Sequence, residues 1–325
     1  MYTLIKNQFN KIALTVGILL LVPGLGGIAP AASPQTFHVG SMVWDASIPF
    51  YANFIKGQKE AAAKYGIDLD FQNGDSKLET QVSVVQQFIS EKKNLIIVTP
   101  GDAEGIVPVI KQAEQAGVPV IAANNNVGRG GNIVTFVGSS NYDFGKLQGK
   151  LLVDAIGTSG QVAYVLGALG TDPQVNREKG MTDFLQSYPG IRIIAKQTAN
   201  WNASQALAVI EDWLNKYPSG TINAIVDQGP EGVAGALNAA QTGRSDVKFV
   251  LGNYPETIKK AIEDGIVYGT IIEDPYHQGY TSVEYAYYWL TDQKDKVERP
   301  QHYMANPVIN PVITKANAAS VPPEM

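Results

Sequence analysis

The chain has 325 residues, 45% of them hydrophobic, with 25 Lys+Arg against 30 Asp+Glu for a formal net charge of -5. At roughly 100 to 200 residues per domain, that length implies two domains, each with enough apolar side chains for a core. The acidic balance gives a nucleic-acid backbone no footprint, and zero Cys excludes disulfide scaffolds, zinc fingers, iron–sulfur clusters and thiol nucleophiles.

Taken in chain order, the first element is an address. Lys6 and Lys11 precede an apolar run over residues 12–21, and small residues follow through Ala29, Pro30 and Ala31. That order predicts a cleaved secretion signal over residues 1–31, because Pro23, Gly24, Gly26 and Gly27 interrupt the run before it reaches the roughly 20 residues needed to span a bilayer. Removing it takes two Lys and no acid, leaving 23 basic against 30 acidic residues and a mature charge of -7. In a Gram-negative source the product is periplasmic.

Helical periodicity over residues 54–65 ends at Gly66, and a second helix is predicted over 81–91. A strand at 95–98, a helix at 106–116 ending before Gly117, and a strand at 118–121 follow. A break comes near Gly138 to Asn141, after which a helix is predicted over 142–156 and another over 204–217. Strands at 224–226, 249–251 and 270–272 follow, with Gly265 punctuating the last helix-to-strand step. Gly at a helix end fits a left-handed cap, and strands that read apolar without alternation are buried on both faces, as in parallel sheets covered by helices. The prediction is therefore doubly wound α/β, with ten or eleven strands in two units joined by short crossovers. Residues 315–325, with Pro322 and Pro323, read as a frayed tail.

Polar and aromatic side chains gather where these strands stop: Trp44 and Asp45, Thr99 to Asp102, Asn124 to Asn126, Asp227 and Gln228, Asn253 and Tyr254, and Glu273 and Asp274. Ligands of open parallel sheets sit outside the carboxyl ends of the strands. Amides that donate and accept, carboxylates that accept from hydroxyls, and flat aromatic faces suit a small polyhydroxylated ligand. Any single Asp or Asn there is equally a helix cap or turn residue; recurrence at six strand ends favours a site.

The segment Ile48 to Tyr51 opening a helix, Gly117 to Ile121 before a polar triplet, Asn176 to Gly180, and Ala234 to Leu237 together resemble the periplasmic sugar-binding proteins of the ribose-binding type, over about residues 36–290. The resemblance implies two Rossmann-like doubly wound lobes joined by a three-segment hinge, the type I periplasmic binding protein fold. The lobes would be 35–139 plus 274–302 and 140–273 plus 303–314, with hinge strands near 139–141, 273–275 and 303–307. It also implies a monomer that closes over a sugar or polyol and delivers it to the membrane permease of an ABC importer. The alternative is a receptor of the same fold that docks a membrane sensor kinase or chemoreceptor.

Carried onto this sequence, the family's aromatic pair matches Phe50 and Tyr51, its second-lobe aromatic matches Trp201, and its sugar-reaching arginine matches Arg177. The alternatives are a staple at a helix start for either of Phe50 and Tyr51, and a surface ion pair with Glu178 or a helix cap for Arg177. Neither Trp201 nor Arg177 is assigned to a core, so their replacement is expected to weaken binding and leave folding intact. The departures are Asn124 and Asn125 where ribose binders carry Asp-Arg, Glu273 where they carry Gln, Gly229 at their asparagine with Asp227 or Gln228 as substitutes, and Asn253 and Tyr254 near their last aspartate. These changes imply a solute other than ribose, with Glu273 leaving room for an amino group.

Catalysis finds no motif. Glu273 and Asp274 are adjacent and do not face each other as a glycosidase acid pair, and His38, His277 and His302 are far apart in sequence. No cofactor or metal is expected.

Overall fold

A computed structural model describes residues 36–303 and 311–324. The predicted secretion signal and most of the third expected hinge strand, 303–307, lie outside the described residues.

The first run of elements is β1 (Phe37–Val43), α1 (Phe50–Tyr65), β2 (Ile67–Asn73), α2 (Leu78–Ser90), β3 (Leu95–Val98), α3 (Val107–Gln115), β4 (Val120–Ala123) and β5 (Phe136–Gly138). The second is α4 (Asn141–Ile156), β6 (Ser159–Leu166), α5 (Asp172–Leu185), β7 (Gly190–Thr198), α6 (Ala203–Lys216), β8 (Ala224–Asp227), α7 (Val233–Gln241), β9 (Lys248–Gly252), α8 (Glu256–Glu263) and β10 (Gly269–Ile271). Three more close the described chain: α9 (Pro275–Leu290), β11 (Gln301–Tyr303) and β12 (Val312–Thr314).

The strands form two six-stranded sheets, ordered β11-β5-β4-β3-β1-β2 and β12-β10-β9-β8-β6-β7. Within each, the strands named first in chain order lie inside and the sequence reverses direction, between β1 and β3 and between β6 and β8. Such a reversal opens a crevice at the carboxyl ends of the strands. The chain leaves the first sheet between Gly138 and Asn141 and re-enters its layer with α9 after Ile271.

The doubly wound reading holds, with one exception to the parallel rule: β12 runs antiparallel to β10, pairing Gly269 with Thr314. The glycine caps are where the pattern put them. Gly66, Gly117 and Gly265 sit at φ +66, +73 and +78, the left-handed conformation that a Cβ disfavours.

Each lobe is clasped by one helix pair meeting through glycines. Gly57 of α1 and Gly279 of α9 meet the main chain of Tyr276 and Phe54, and Gly145 of α4 and Gly180 of α5 meet that of Arg177 and Tyr142. At all four positions a Cβ would overlap a carbonyl oxygen of the facing helix.

The frayed tail is corrected. Ala318 and Val321 are buried in the second lobe's core, Tyr254 Oη donates to the Ala318 carbonyl at 2.9 Å, and Lys259 Nζ donates to that of Val321 at 3.3 Å. Two small apolar side chains suffice to dock the segment beside α8, and average hydrophobicity over it hid them.

Candidate ligand cleft

A cavity of about 300 Å³ lies at the carboxyl ends of both sheets, at the lower end of the range for small-molecule sites. Trp44, Phe50, Tyr51, Asn124 and Asn125 line it from the first lobe, and Arg177, Trp201, Glu231, Asn253 and Glu273 from the second. Prolines 49, 173, 230 and 255 fill the spaces between them and stiffen the wall. The lobes touch near it, where Ala103 N donates to Gly170 O at 3.3 Å.

On the first lobe, Tyr51 lies in the first turn of α1 and its hydroxyl donates to Asn124 Oδ1 at 2.9 Å, while Asn124 Nδ2 donates to Gln278 Oε1 at 3.0 Å. Asn125 Nδ2 donates to the Pro100 carbonyl at 2.8 Å. Phe50 meets Tyr51 edge to face at 5.5 Å between centroids. Burial pushes the Tyr51 hydroxyl far up, so it stays protonated and donates.

On the second lobe, Arg177 projects from the second turn of α5 and is 3% exposed. Its guanidinium stacks 3.7 Å from the Phe144 ring centroid. Nε donates to Asn141 Oδ1 at 3.0 Å, Nη1 to the Gln228 carbonyl at 2.7 Å and Nη2 to Glu273 Oε2 at 2.7 Å. Asn253 Nδ2 donates to the same Glu273 oxygen at 3.1 Å. The planar fork thus holds three acceptors at once, a geometry Lys could not reproduce. The expectation that Arg177 is free of the core is corrected, and Glu178, its partner in the alternative reading, pairs instead with Lys196 at 2.6 Å. Trp201 is half-buried, its ring packed over Gly167 and Gly229 in spaces that a Cβ would fill.

Asn124 and Asn253 end equivalent strands, β4 and β9, and both take positive φ, +60 and +58; Trp201 takes +56. Asn tolerates the left-handed region and Trp does so rarely, so backbone strain gathers at the cleft.

Four predicted site residues lie outside the lining. Asp45 accepts from Ser47 N at 2.9 Å and Ser76 Oγ at 2.5 Å, and ties its loop together. Gln228 braces the floor, donating to Tyr164 Oη at 3.0 Å and the Gln174 carbonyl at 2.9 Å while accepting from Gly167 N at 2.9 Å. Tyr254 is core, fully buried beside Ala318. Asp227 lies beneath the loop, accepting from Gly229 N at 3.0 Å, with its other oxygen unpartnered. Asp274 caps α9 through His277 N at 2.9 Å, so it and Glu273 do diverge.

Two carboxylates here carried no signal in the sequence. Glu231 lines the cavity and has a buried oxygen without a partner. Glu324 accepts from Tyr254 N at 2.6 Å and from Glu273 N at 2.5 Å, and its carbonyl accepts from Asn53 Nδ2 of α1 at 3.0 Å. The tail that looked frayed therefore holds the backbone of Glu273 and reaches the other lobe.

Burial pushes Glu231 up to about 7, and burial with the nearby Glu273 charge pushes Glu324 up to about 8; burial and then Glu231 raise Asp227 well above the carboxylate range. A carboxyl raised in the native state binds protons more tightly there than in the unfolded chain. Its contribution is therefore complete below the unfolded value and is lost as pH rises through the native one. The melting temperature is expected to fall between about pH 5.5 and 8.5, and Glu324→Gln to flatten that fall. Thermal unfolding at several pH values checks both, and a melting temperature rising across this window would contradict it.

Residues 39–294 match the family model described as periplasmic binding protein domain. A xylitol-binding protein of Mycolicibacterium smegmatis is 27% identical over 271 residues, covering 83% of this chain and 77% of that one. The ribose import binding protein of Escherichia coli is 28% identical over 256 residues, covering 78% and 84%. Among solved structures, a periplasmic solute-binding protein of an ABC transporter from Actinobacillus succinogenes, with bound D-allose, superposes with a TM-score of 0.74 at 28% identity, covering 88% of this chain and 100% of that one. The myo-inositol-bound solute-binding protein of Bacillus halodurans, at 24% identity and a TM-score of 0.79, shares the fold, covering 89% and 98%. With the match running through both sheets and the cleft between them, the chain belongs to the periplasmic binding protein family.

Proposed function

We propose that this chain is a periplasmic solute receptor that closes over one small polyhydroxylated molecule, a monosaccharide or polyol, and hands it to the permease of an ABC importer without making or breaking a bond. The cavity supports this reading: its volume suits a molecule of that size, its walls come from both lobes, and aromatic planes, amides and one arginine line it together. Aromatic faces cover the C–H surfaces of a sugar while amides and the guanidinium meet its hydroxyls. A ligand touching both walls favours the closed arrangement over the open one, the differential binding that a closure signal to a permease requires. Relatives named for xylitol and ribose, and the allose-bound neighbour, support the same class of solute. The predicted secretion signal supports the periplasmic site, as do the family's own examples.

The test is a thermal-shift screen of the mature protein against pentoses, hexoses, cyclitols and linear polyols. A true ligand at 100 times its dissociation constant is expected to add about 2.7 kcal/mol of stability. No shift from any member of the panel would overturn the reading.

A further inference from the structure

The charge balance of the cleft is unfilled. Arg177 is the one basic side chain among the lining residues, and its strongest partner is Glu273, at 2.7 Å. Glu273 therefore has its charge answered and an amide on the same oxygen. Among the described residues, Glu231 and Asp227 form no ion pair of their own, and the Arg177 charge reaches them only from beyond contact distance. Asp227 is 1% exposed with one oxygen unpartnered, and Glu231 has a buried, unpartnered oxygen on the cavity wall. Two neighbouring buried carboxyls without an ion pair are costly in an apolar wall: burial raises both, and the Glu231 charge raises Asp227 further.

The loop places one of these oxygens beside an aromatic ring. A Cβ on Gly229 would overlap Glu231 Oε2 and come within 3.0 Å of Trp201 Cζ3, so glycine there lets the carboxylate and the indole share one space. A carboxylate next to an indole, in a cavity that Trp44, Phe50 and Tyr51 also line, is an arrangement that attracts a cation by charge and by the ring quadrupole. A solute hydroxyl would give Glu231 a hydrogen bond and leave its charge unanswered; an ammonium group gives both.

We propose that the solute carries an ammonium group seated between Glu231 and Trp201, so that the receptor selects amino sugars or amino polyols over their hydroxyl counterparts. This rests on the polyhydroxylated-solute reading above and moves the amino site from Glu273, where the sequence placed it, to Glu231.

The test is calorimetric titration with matched pairs: glucosamine and glucose, galactosamine and galactose, an aminodeoxy-inositol and inositol, and 1-amino-1-deoxysorbitol and sorbitol. At about pH 7.5 the amino member of the best-bound pair is expected to bind tenfold or more tightly than its partner, about 1.4 kcal/mol. The ratio is expected to shrink at about pH 5.5, where Glu231 holds its proton, and to fall towards one in Glu231→Gln. If Glu231→Gln fails to fold, the pH dependence of the ratio in the parent protein carries the test, and a ratio unchanged between about pH 5.5 and 7.5 would overturn the proposal. Hydroxyl members binding as tightly as amino members would overturn the amino proposal and leave the polyol receptor standing. No binding by either member of any pair would bring down both.

Discussion

Replacing Arg177 by Ala is expected to abolish measurable solute binding and also to lower folding stability by about 3 to 5 kcal/mol, the cost of breaking a buried ion pair from one side. The guanidinium is the shared donor of Asn141, the Gln228 carbonyl and Glu273, and the Glu273 side chain is 3% exposed. Its loss leaves a carboxylate buried without a cation and two oxygens without a donor. Arg177→Lys restores the charge but not the fork, and is expected to recover part of the stability and little of the binding. The double change Arg177→Met with Glu273→Leu removes both charges, and is expected to recover most of the stability and none of the binding. Urea unfolding beside calorimetric titration separates the two effects. An Arg177→Ala protein as stable as its parent would mean that the pair is not a structural element of the second lobe.

That result would differ from what the sequence alone suggests, and the difference shows where its information stops. Strands 95–98 and 224–226 were legible because a strand buried on both faces must be apolar at every position, a local property. The helices were legible at their glycine ends, where one φ decides the residue. By contrast, β7 reads as mostly exposed because it forms a sheet edge, and α9 is crowded with tyrosines whose partners lie on α1, so neither shows a clean period. The same division runs through the cleft. Trp44, Phe50, Tyr51, Asn124, Asn125, Arg177, Trp201, Asn253 and Glu273, singled out by position at strand ends or by resemblance, all line one cavity. Tyr254 shares its strand end with Asn253, but one step along the chain turns its ring into the core towards Ala318. Glu231 drew no reading from the sequence, and Glu324 fell within a tail read as frayed. What gives each its environment is a partner far away in sequence, Trp201 for one and the Glu273 backbone for the other.

The same long-range dependence makes Gly145 a sharper probe than its composition suggests. In an ordinary exposed helix interior, Gly→Ala gains about 0.8 to 1.0 kcal/mol of helix propensity. At Gly145 the added methyl would overlap the main-chain carbonyl of Arg177, and backbone cannot rotate aside as a side chain can. The helices α4 and α5 must then part, which shifts the residue that holds Glu273 and faces the solute. Gly145→Ala is therefore expected to destabilise by about 1 to 3 kcal/mol, and to weaken solute binding by tenfold or more through the displaced Arg177. Gly149, one turn further along the same helix, meets the Phe184 ring at 2.9 Å and Met181 Cγ at 3.5 Å, side chains that can shift. Gly149→Ala is expected to cost much less and to leave affinity near that of the parent. Thermal unfolding and titration of the two variants side by side make the comparison. If Gly145→Ala is as stable as the parent, or if Gly149→Ala loses as much affinity, then close backbone contact between α4 and α5 is not what sets the position of Arg177.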